Sequence, residues 1–306
     1  MIIFLNHQQP RCGVYQMGRR IASALSSRIP DFHSYEGDFE GAKALASRLN
    51  PKIVVHNWHP YTLPWSADMM RIFPSAKHVG LIHEIAESSA HAGLELFTYR
   101  MVCDPDFPVD NVKTFRSVRH VPRYEKPLLK NDRFTVGSFG FAVGGKLYHH
   151  VVPLVCASFP RPLIRLHIPR AFYGDAAGAA AHGYAGECAK RLDNGAELQV
   201  THDFMPEEDL LDWLAQNDLN VFFYEPNIGR GIASALDYAI AVRRPLAINN
   251  SDMFRHVRGR LGHYPSQSLV HLYLETGSRV EAIYDEWSLD RLAADYALMF
   301  AALSRS

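Results

Sequence analysis

Short contiguous apolar runs alternate along the chain with longer stretches in which apolar positions recur at helical spacing. The first run, Ile2–Asn6, reads as a strand buried on both faces. A polar loop with Pro10 and Gly13 follows, and residues 14–27 have helical periodicity with Arg19 and Arg20 on the wet face. The pattern recurs as a helix over 39–49 leading into a strand over 52–56, and a helix over 61–72 leading into a strand over 77–83. A further strand is predicted over 98–103. Residues 122–131 carry two prolines and a charge cluster, which is linker chemistry. Beyond them the alternation restarts, with strands over 134–139, 163–168, 198–201, 219–224 and 245–248. The helices between these strands are predicted over 146–158, 175–192, 206–216 and 231–242. Residues 266–275, 279–287 and 289–303 then read as three helical segments. Strands alternating with helices predict an α/β protein with parallel sheets and crossover helices, not a sandwich or a bundle. The expected division is 1–125, 126–288, and a helix in 289–306 that could pack back on the first domain.

Length agrees with two domains, because 306 residues exceed the roughly 100–200 expected of one. At 47% apolar and 21% charged residues, the composition is that of a chain folded throughout. Lys plus Arg equals Asp plus Glu at 32 each, so no nucleic-acid partner is expected and any basic site must be local. The sixteen histidines scatter without zinc-ligand spacing, so no metal is expected. Cys12, Cys103, Cys156 and Cys188 lie far apart with no CxxC, and the opening MIIFLN is too short and too soon polar for a signal peptide. Reduced thiols and a cytoplasmic location are the expectation. No apolar run approaches the roughly 20 residues needed to span a bilayer, which leaves peripheral membrane association open.

In doubly wound folds ligands sit beyond the carboxyl ends of strands, so the loops after Asn6, His83, Phe139 and Tyr224 are where chemistry should be sought. In the segment from Tyr224 to Asp237 a buried strand enters a Gly-rich turn that opens a helix. Amides at such a start, around Gly231, Ile232, Ala233 and Ser234, suit a phosphate, and Arg230 could add a charge. Asp237 would lie over the turn of Ala233 and Ser234, within reach of a ribose. The alternative is that Gly229 and Gly231 only make a tight turn and that Asp237 is a solvated helix residue. The loop Val136-Gly-Ser-Phe-Gly-Phe-Ala-Val-Gly-Gly-Lys146 also joins strand to helix, through Phe139 and Gly140, and ends in a lysine suited to a diphosphate. It matches neither GxGxxG nor a P-loop, so a purely structural loop stands beside that reading. In the first half Gly13 begins a helix where backbone can approach a ligand closely. His83 follows a strand, where a structural histidine is the alternative, and the same holds for His56 and His59. His149 and His150 read as surface or packing residues. Trp58, Tyr61 and Trp65 could stack on an acceptor sugar, with a core role as the alternative.

Taken in order and over nearly the whole chain, these segments resemble the retaining GT-B glycosyltransferases of family 4. Cys12-Gly-Val-Tyr15 resembles that family's glycine loop, and Leu81-Ile-His-Glu84 its histidine-bearing strand end. Val136-Gly-Ser-Phe-Gly-Phe141 is similar to the opening strand of the donor domain, with Lys146 at the phosphate-binding lysine. Residues 201–211 resemble the stretch lining the base pocket, and 234–246 the C-terminal signature. The resemblance implies two Rossmann-like doubly wound domains facing a cleft. It also implies a hexosyltransferase-like enzyme that moves a sugar from a nucleoside diphosphate sugar, UDP or GDP type, to a glycan, lipid-linked or protein hydroxyl, with retention. Polysaccharide biosynthesis is the usual setting, and neither a cofactor nor a metal is implied. His83 and Lys146 would be catalytic. Gly13, Phe139, Gly140, Lys146, Arg230, Gly231, Ile232, Ala233, Ser234 and Asp237 would bind the donor. The chain departs from the family at Gly229, where the first of two signature carboxylates is replaced, while Asp237 keeps the second. Ser138 and Phe139 stand where an arginine accompanies the lysine. A catalytically inactive GT-B-like nucleotide-binding or regulatory protein is the alternative that Gly229 raises.

Overall fold

The structure, a computed structural model, describes residues 1–83, 96–108, 112–142, 145–171, 174–226 and 231–305. It divides into two compact units. The first comprises Met1–His120 and Trp287–Ser306, and Gly231 and Ile232 group with it; the second comprises Val121–Ile228 and Ala233–Glu286.

The first unit is built on β1 (Ile2–Asn6), β2 (Phe32–Glu36), β3 (Ile53–Trp58), β4 (Lys77–Ile82), β5 (Tyr99–Val102) and β6 (Thr114–Arg116). They form one parallel sheet in the order β2-β1-β3-β4-β5-β6. Strand β1 is buried throughout, and β3 and β4 at all but one terminal residue, as sheets covered on both faces require. Helices α1 (Gly13–Ser26), α2 (Phe39–Leu49) and α3 (Ser66–Ile72) connect them. Asp38 caps α2 by accepting from the Gly41 amide at 2.9 Å. The last helix, α10 (Leu289–Arg305), buries Leu292, Tyr296, Met299 and Phe300. Asp295 on it accepts from the Val118 amide at 2.9 Å, and Asp290 pairs with Arg28 of this unit at 2.9 Å.

The second unit carries β7 (Thr135–Phe139), β8 (Leu163–His167), β9 (Glu197–Thr201), β10 (Leu219–Phe222) and β11 (Leu246–Ile248), all parallel, in the order β11-β10-β7-β8-β9. Helices α4 (Tyr148–Ser158), α5 (Ala179–Ala189), α6 (Glu207–Ala215), α7 (Ala235–Ala241), α8 (Arg255–Leu261) and α9 (Leu269–Glu286) complete it. Its core runs from Val136, Ile164 and Val221 on the strands to Val151, Val155 and Cys156 on α4 and Leu269 and Leu272 on α9. The proline-containing segment after residue 121 is tied to α6. Tyr124 donates to Asp212 at 3.0 Å, and Lys126 pairs with Asp212 at 2.7 Å.

Four local expectations change. Strands β2 and β6 lack a distinguishing apolar run. They are edge strands, and β2 buries only Phe32 fully. The helix expected over 231–242 begins only at Ala235, because the Ala233 amide is held by the Met253 carbonyl at 3.0 Å. The two segments expected over 266–275 and 279–287 are one helix, α9. Mid-helix Thr276 takes the Leu246 amide of edge strand β11 at 2.9 Å and donates to Leu272 at 2.6 Å, so tertiary pairing carries the helix past Gly277. The short helix α8 was not expected. All four cysteines are free, and among the described residues no helix is long and apolar enough to cross a membrane.

Candidate functional site

Each sheet reverses its strand order once, between β1 and β3 in the first unit and between β7 and β10 in the second. Loops leaving the carboxyl ends of such a strand pair diverge to opposite sides and leave a crevice, where ligands of open α/β sheets bind. The sequence-predicted loops after Asn6, Phe139 and Tyr224 fall on these two points, and the loop after His83 follows β4, the neighbour of β3.

In the second unit the two loops are stitched together. Lys146 and Tyr224 form an antiparallel bridge, the Leu147 amide donates to Phe223 at 2.9 Å, and the Glu225 amide donates to Gly145 at 2.8 Å. Asn249, just past β11, clamps Tyr224 from both sides, accepting from its amide at 3.0 Å and donating to its carbonyl at 2.6 Å. This short ladder fixes the Lys146 ammonium 3.5 Å from the centroid of the Tyr224 ring, a cation–π contact. Among the described residues no hydrogen bond or ion pair reaches that ammonium, and burial pulls its pKa from 10.5 down to about 7. The Tyr224 hydroxyl is buried with no hydrogen-bond partner among the described residues, and burial raises its pKa. Gly140 has φ +145°, a region few side chains tolerate, and a Cβ there would lie 3.2 Å from both the Lys146 ammonium and the Tyr148 hydroxyl. Tyr148 donates to the Gly140 carbonyl at 2.6 Å. The loop is thus held open to backbone approach.

Phe139 packs inward, 5.6 Å from Phe222 and 5.9 Å from Tyr238 between ring centroids, so it can offer a ligand only its backbone. Asp237 is fully buried in the first turn of α7 and is not the solvated residue of the alternative reading. Ala233 is buried with its amide engaged, whereas the amides of Ser234 and Ala235 meet no acceptor among the described residues. Gly229 and Arg230 lie outside the described residues. Tyr224 and Asn249 were missed from sequence. Tyr224 ends a recognisable strand, but nothing local marks Asn249 as its clamp. Beside the ladder a cavity of about 730 Å³ is lined by Leu147, His149, His150, Arg191, Phe223 and Tyr264, among others. Burial, then His150 and Arg191, hold the His149 pKa down.

In the first unit Gly13 opens α1 behind Cys12, whose side chain makes no cap. His83, just past β4, bonds through Nε2 to Asn57 Oδ1 at 2.5 Å. Asn57 donates to Asn6 Oδ1 at 2.7 Å and to the Val14 carbonyl at 2.8 Å. Asn6 and Asn57, at the ends of β1 and β3, thus link the strand end bearing His83 to the turn bearing Gly13; neither was singled out from sequence. His56 is buried away from the loops, 3.0 Å from His78 and 3.2 Å from Ser66. Trp58 packs edge-on to Phe97 and Trp65 against Phe39, whereas Tyr61 is exposed. Among the described residues no group of three or more His, Cys, Asp or Glu could hold a metal ion.

No family model matches the chain, and no curated protein matches it. Solved structures do. HepE of Anabaena in complex with UDP and glucose is 13% identical, covers 98% of this chain and 99% of that one, and has a TM-score of 0.68. Sucrose-phosphate synthase from Thermosynechococcus elongatus is 12% identical over 98% and 99% with a TM-score of 0.70. The trehalose-6-phosphate synthase OtsA is 9% identical over 100% and 99% with a TM-score of 0.65. These structural neighbours are GT-B glycosyltransferases with two Rossmann-like domains, and that fold is the fold of this chain.

Proposed function

We propose that the protein is a glycosyltransferase that moves a sugar from a nucleoside diphosphate sugar, of the UDP or GDP type, to a hydroxyl of a glycan, lipid-linked or protein acceptor. Lys146 carries this reading. Its ammonium stands at the switch point of the second unit, desolvated and without an ion-pair partner among the described residues. Such a cation gains most from an arriving anion, because the desolvation it already bears is offset only when the charge is met. The UDP bound by HepE is an anion of the required kind.

As the glycosidic bond breaks, negative charge grows on the departing diphosphate. Stabilisation aimed where charge develops lowers the barrier, and Lys146 supplies it, joined by Arg230 and the backbone near Gly231, Ile232 and Ser234. Gly140 leaves room for the diphosphate beside the lysine. Through the family resemblance, Asp237 would take a ribose hydroxyl, Gly13 would bind the donor and His83 would be catalytic. Retention of configuration and independence of a metal belong to this reading through the family resemblance.

The test is a thermal-shift screen against UDP, GDP, ADP, CMP, NAD and common nucleotide sugars, repeated with Lys146→Ala. A ligand at one hundred times its dissociation constant stabilises by roughly 2.7 kcal/mol. Selective stabilisation by one nucleoside diphosphate, lost in the variant, is expected; stabilisation by NAD alone overturns the reading. Gly229, in place of a carboxylate, favours a second reading, a nucleotide-binding protein without transferase activity. A product assay with the stabilising donor separates the two: transferred or released sugar excludes the inactive form.

A further inference from the structure

The amide and imidazole groups at the first switch point leave no freedom in who donates to whom. Asn57 Nδ2 has two hydrogens, and both are engaged, one by the Val14 carbonyl at 2.8 Å and one by Asn6 Oδ1 at 2.7 Å. The carbonyl can only accept, so the Asn57 amide cannot be turned round without setting two acceptors against each other. Asn6 is fixed in turn. Its Oδ1 also accepts from the His7 amide at 3.0 Å, and its Nδ2 donates to the Tyr15 carbonyl at 3.2 Å. Asn57 Oδ1 is therefore an acceptor toward His83, and His83 Nε2, 2.5 Å away, must carry the hydrogen. Both asparagines are buried, at 1% and 0% exposure, so water does not substitute for a lost partner.

We propose that Asn57 is the positioning residue of His83. It holds the ring as the Nε2–H tautomer and ties it to the first turn of α1, which carries Gly13. With Nε2 committed as the donor to Asn57, the orientation of the ring is set by the asparagine. The part of His83 in transfer rests on the glycosyltransferase reading; the tautomer does not. Gly18 on α1 belongs to the same device. A Cβ at that position would stand 2.2 Å from Asn57 Nδ2 and 3.1 Å from Asn6 Cγ, so the helix approaches the asparagines only because residue 18 has no side chain.

The experiment is proton and nitrogen NMR of the full chain labelled at histidine, with His83 assigned by comparison with His83→Gln. The wild type is expected to show the His83 Nε2 proton as a slowly exchanging downfield resonance with through-space contact to the Asn57 amide. Asn57→Leu should lose that resonance and lower kcat about tenfold or more, as loss of groups that orient a functional histidine does, with KM for the donor within about twofold. Should Asn57→Leu fail to fold, Gly18→Ala tests the same contact with Asn57 and His83 both present and should also lose the resonance. A wild-type ring protonated at Nδ1, or a folded Asn57→Leu or Gly18→Ala protein with the resonance unchanged, overturns the proposal. Should the resonance behave as stated while no nucleoside diphosphate stabilises the protein, the positioning role stands and the glycosyltransferase reading fails.

Discussion

Both switch points place polar groups beyond the ends of a parting strand pair, yet the two units treat those groups in opposite ways. In the first, Asn6, Asn57 and His83 use one another's donors and acceptors. In the second, among the described residues, only an aromatic face meets the Lys146 charge and the neighbouring Tyr224 hydroxyl is buried without a hydrogen-bond partner. A saturated hydrogen-bond network costs little and holds geometry; an unmet desolvated charge costs stability and waits for a counter-charge. The first region is built to position, the second to receive.

Removing the charge is expected to break this contrast most. Lys146→Met should weaken binding of a nucleoside diphosphate by about 100-fold, near the upper range for a charged hydrogen bond, while raising the melting temperature by about 2 °C or more as the desolvation cost disappears. Calorimetry and thermal denaturation check both, and unchanged affinity removes Lys146 from the site. Next, Gly140→Ala puts a side chain at φ +145° beside the ammonium and should destabilise the protein by about 1–3 kcal/mol, measured by denaturant unfolding. An unaltered midpoint would mean the loop is not constrained as described.

The charge contrast also has a pH signature. With the free lysine titrating at about 7, an arriving anion favours the protonated form. Binding above that pH should take up a proton, and affinity should fall up to about tenfold per pH unit. Isothermal calorimetry in buffers of different ionisation enthalpy reads the uptake directly; none at pH 8 argues against an anion meeting Lys146. The smallest expected effect concerns the first unit. His56 is driven well below its ordinary 6.5 by burial and then by His78, and His78 is lowered by burial. The folded state resists protonating them while the unfolded chain does not. Their contribution is therefore complete above the unfolded pKa and is lost as pH falls below 6.5. Protection factors of the β3 and β4 amides, which correct for the slower intrinsic exchange in acid, should fall on acidification through this window. In neutral rings His78 donates to the Phe73 carbonyl at 3.0 Å and His56 donates to His78, while the one Ser66 hydroxyl hydrogen has two acceptors in reach, the Leu63 carbonyl at 3.0 Å and His56 Nδ1 at 3.2 Å.

Much of the fold was legible along the chain because central parallel strands are buried on both faces and carry short apolar runs, as at residues 2–5. The edges were not. Phe-His-Ser-Tyr-Glu of β2 looks like loop sequence, and only its pairing with β1 makes it a strand. The loops that hold the candidate sites were found by the same rule, since a glycine-rich break after a buried strand is a local feature. Gly13, Gly140, Lys146 and His83 could therefore be named in advance. Their partners could not, because Asn57 is 26 residues from His83 and Asn249 is 25 from Tyr224.

The sequence by itself determined the alternation of strands and helices, the two-domain division of labour it predicts, and the positions at which chemistry could sit, because these depend on hydrophobic period and on local backbone freedom. Only the tertiary structure decided the strand order and with it the two switch points. It also decided the desolvation that lowers the Lys146 pKa and the hydrogen-bond roles that fix the His83 tautomer. Those properties arise from groups distant in the chain brought within a few ångströms, where burial and mutual orientation set their energies.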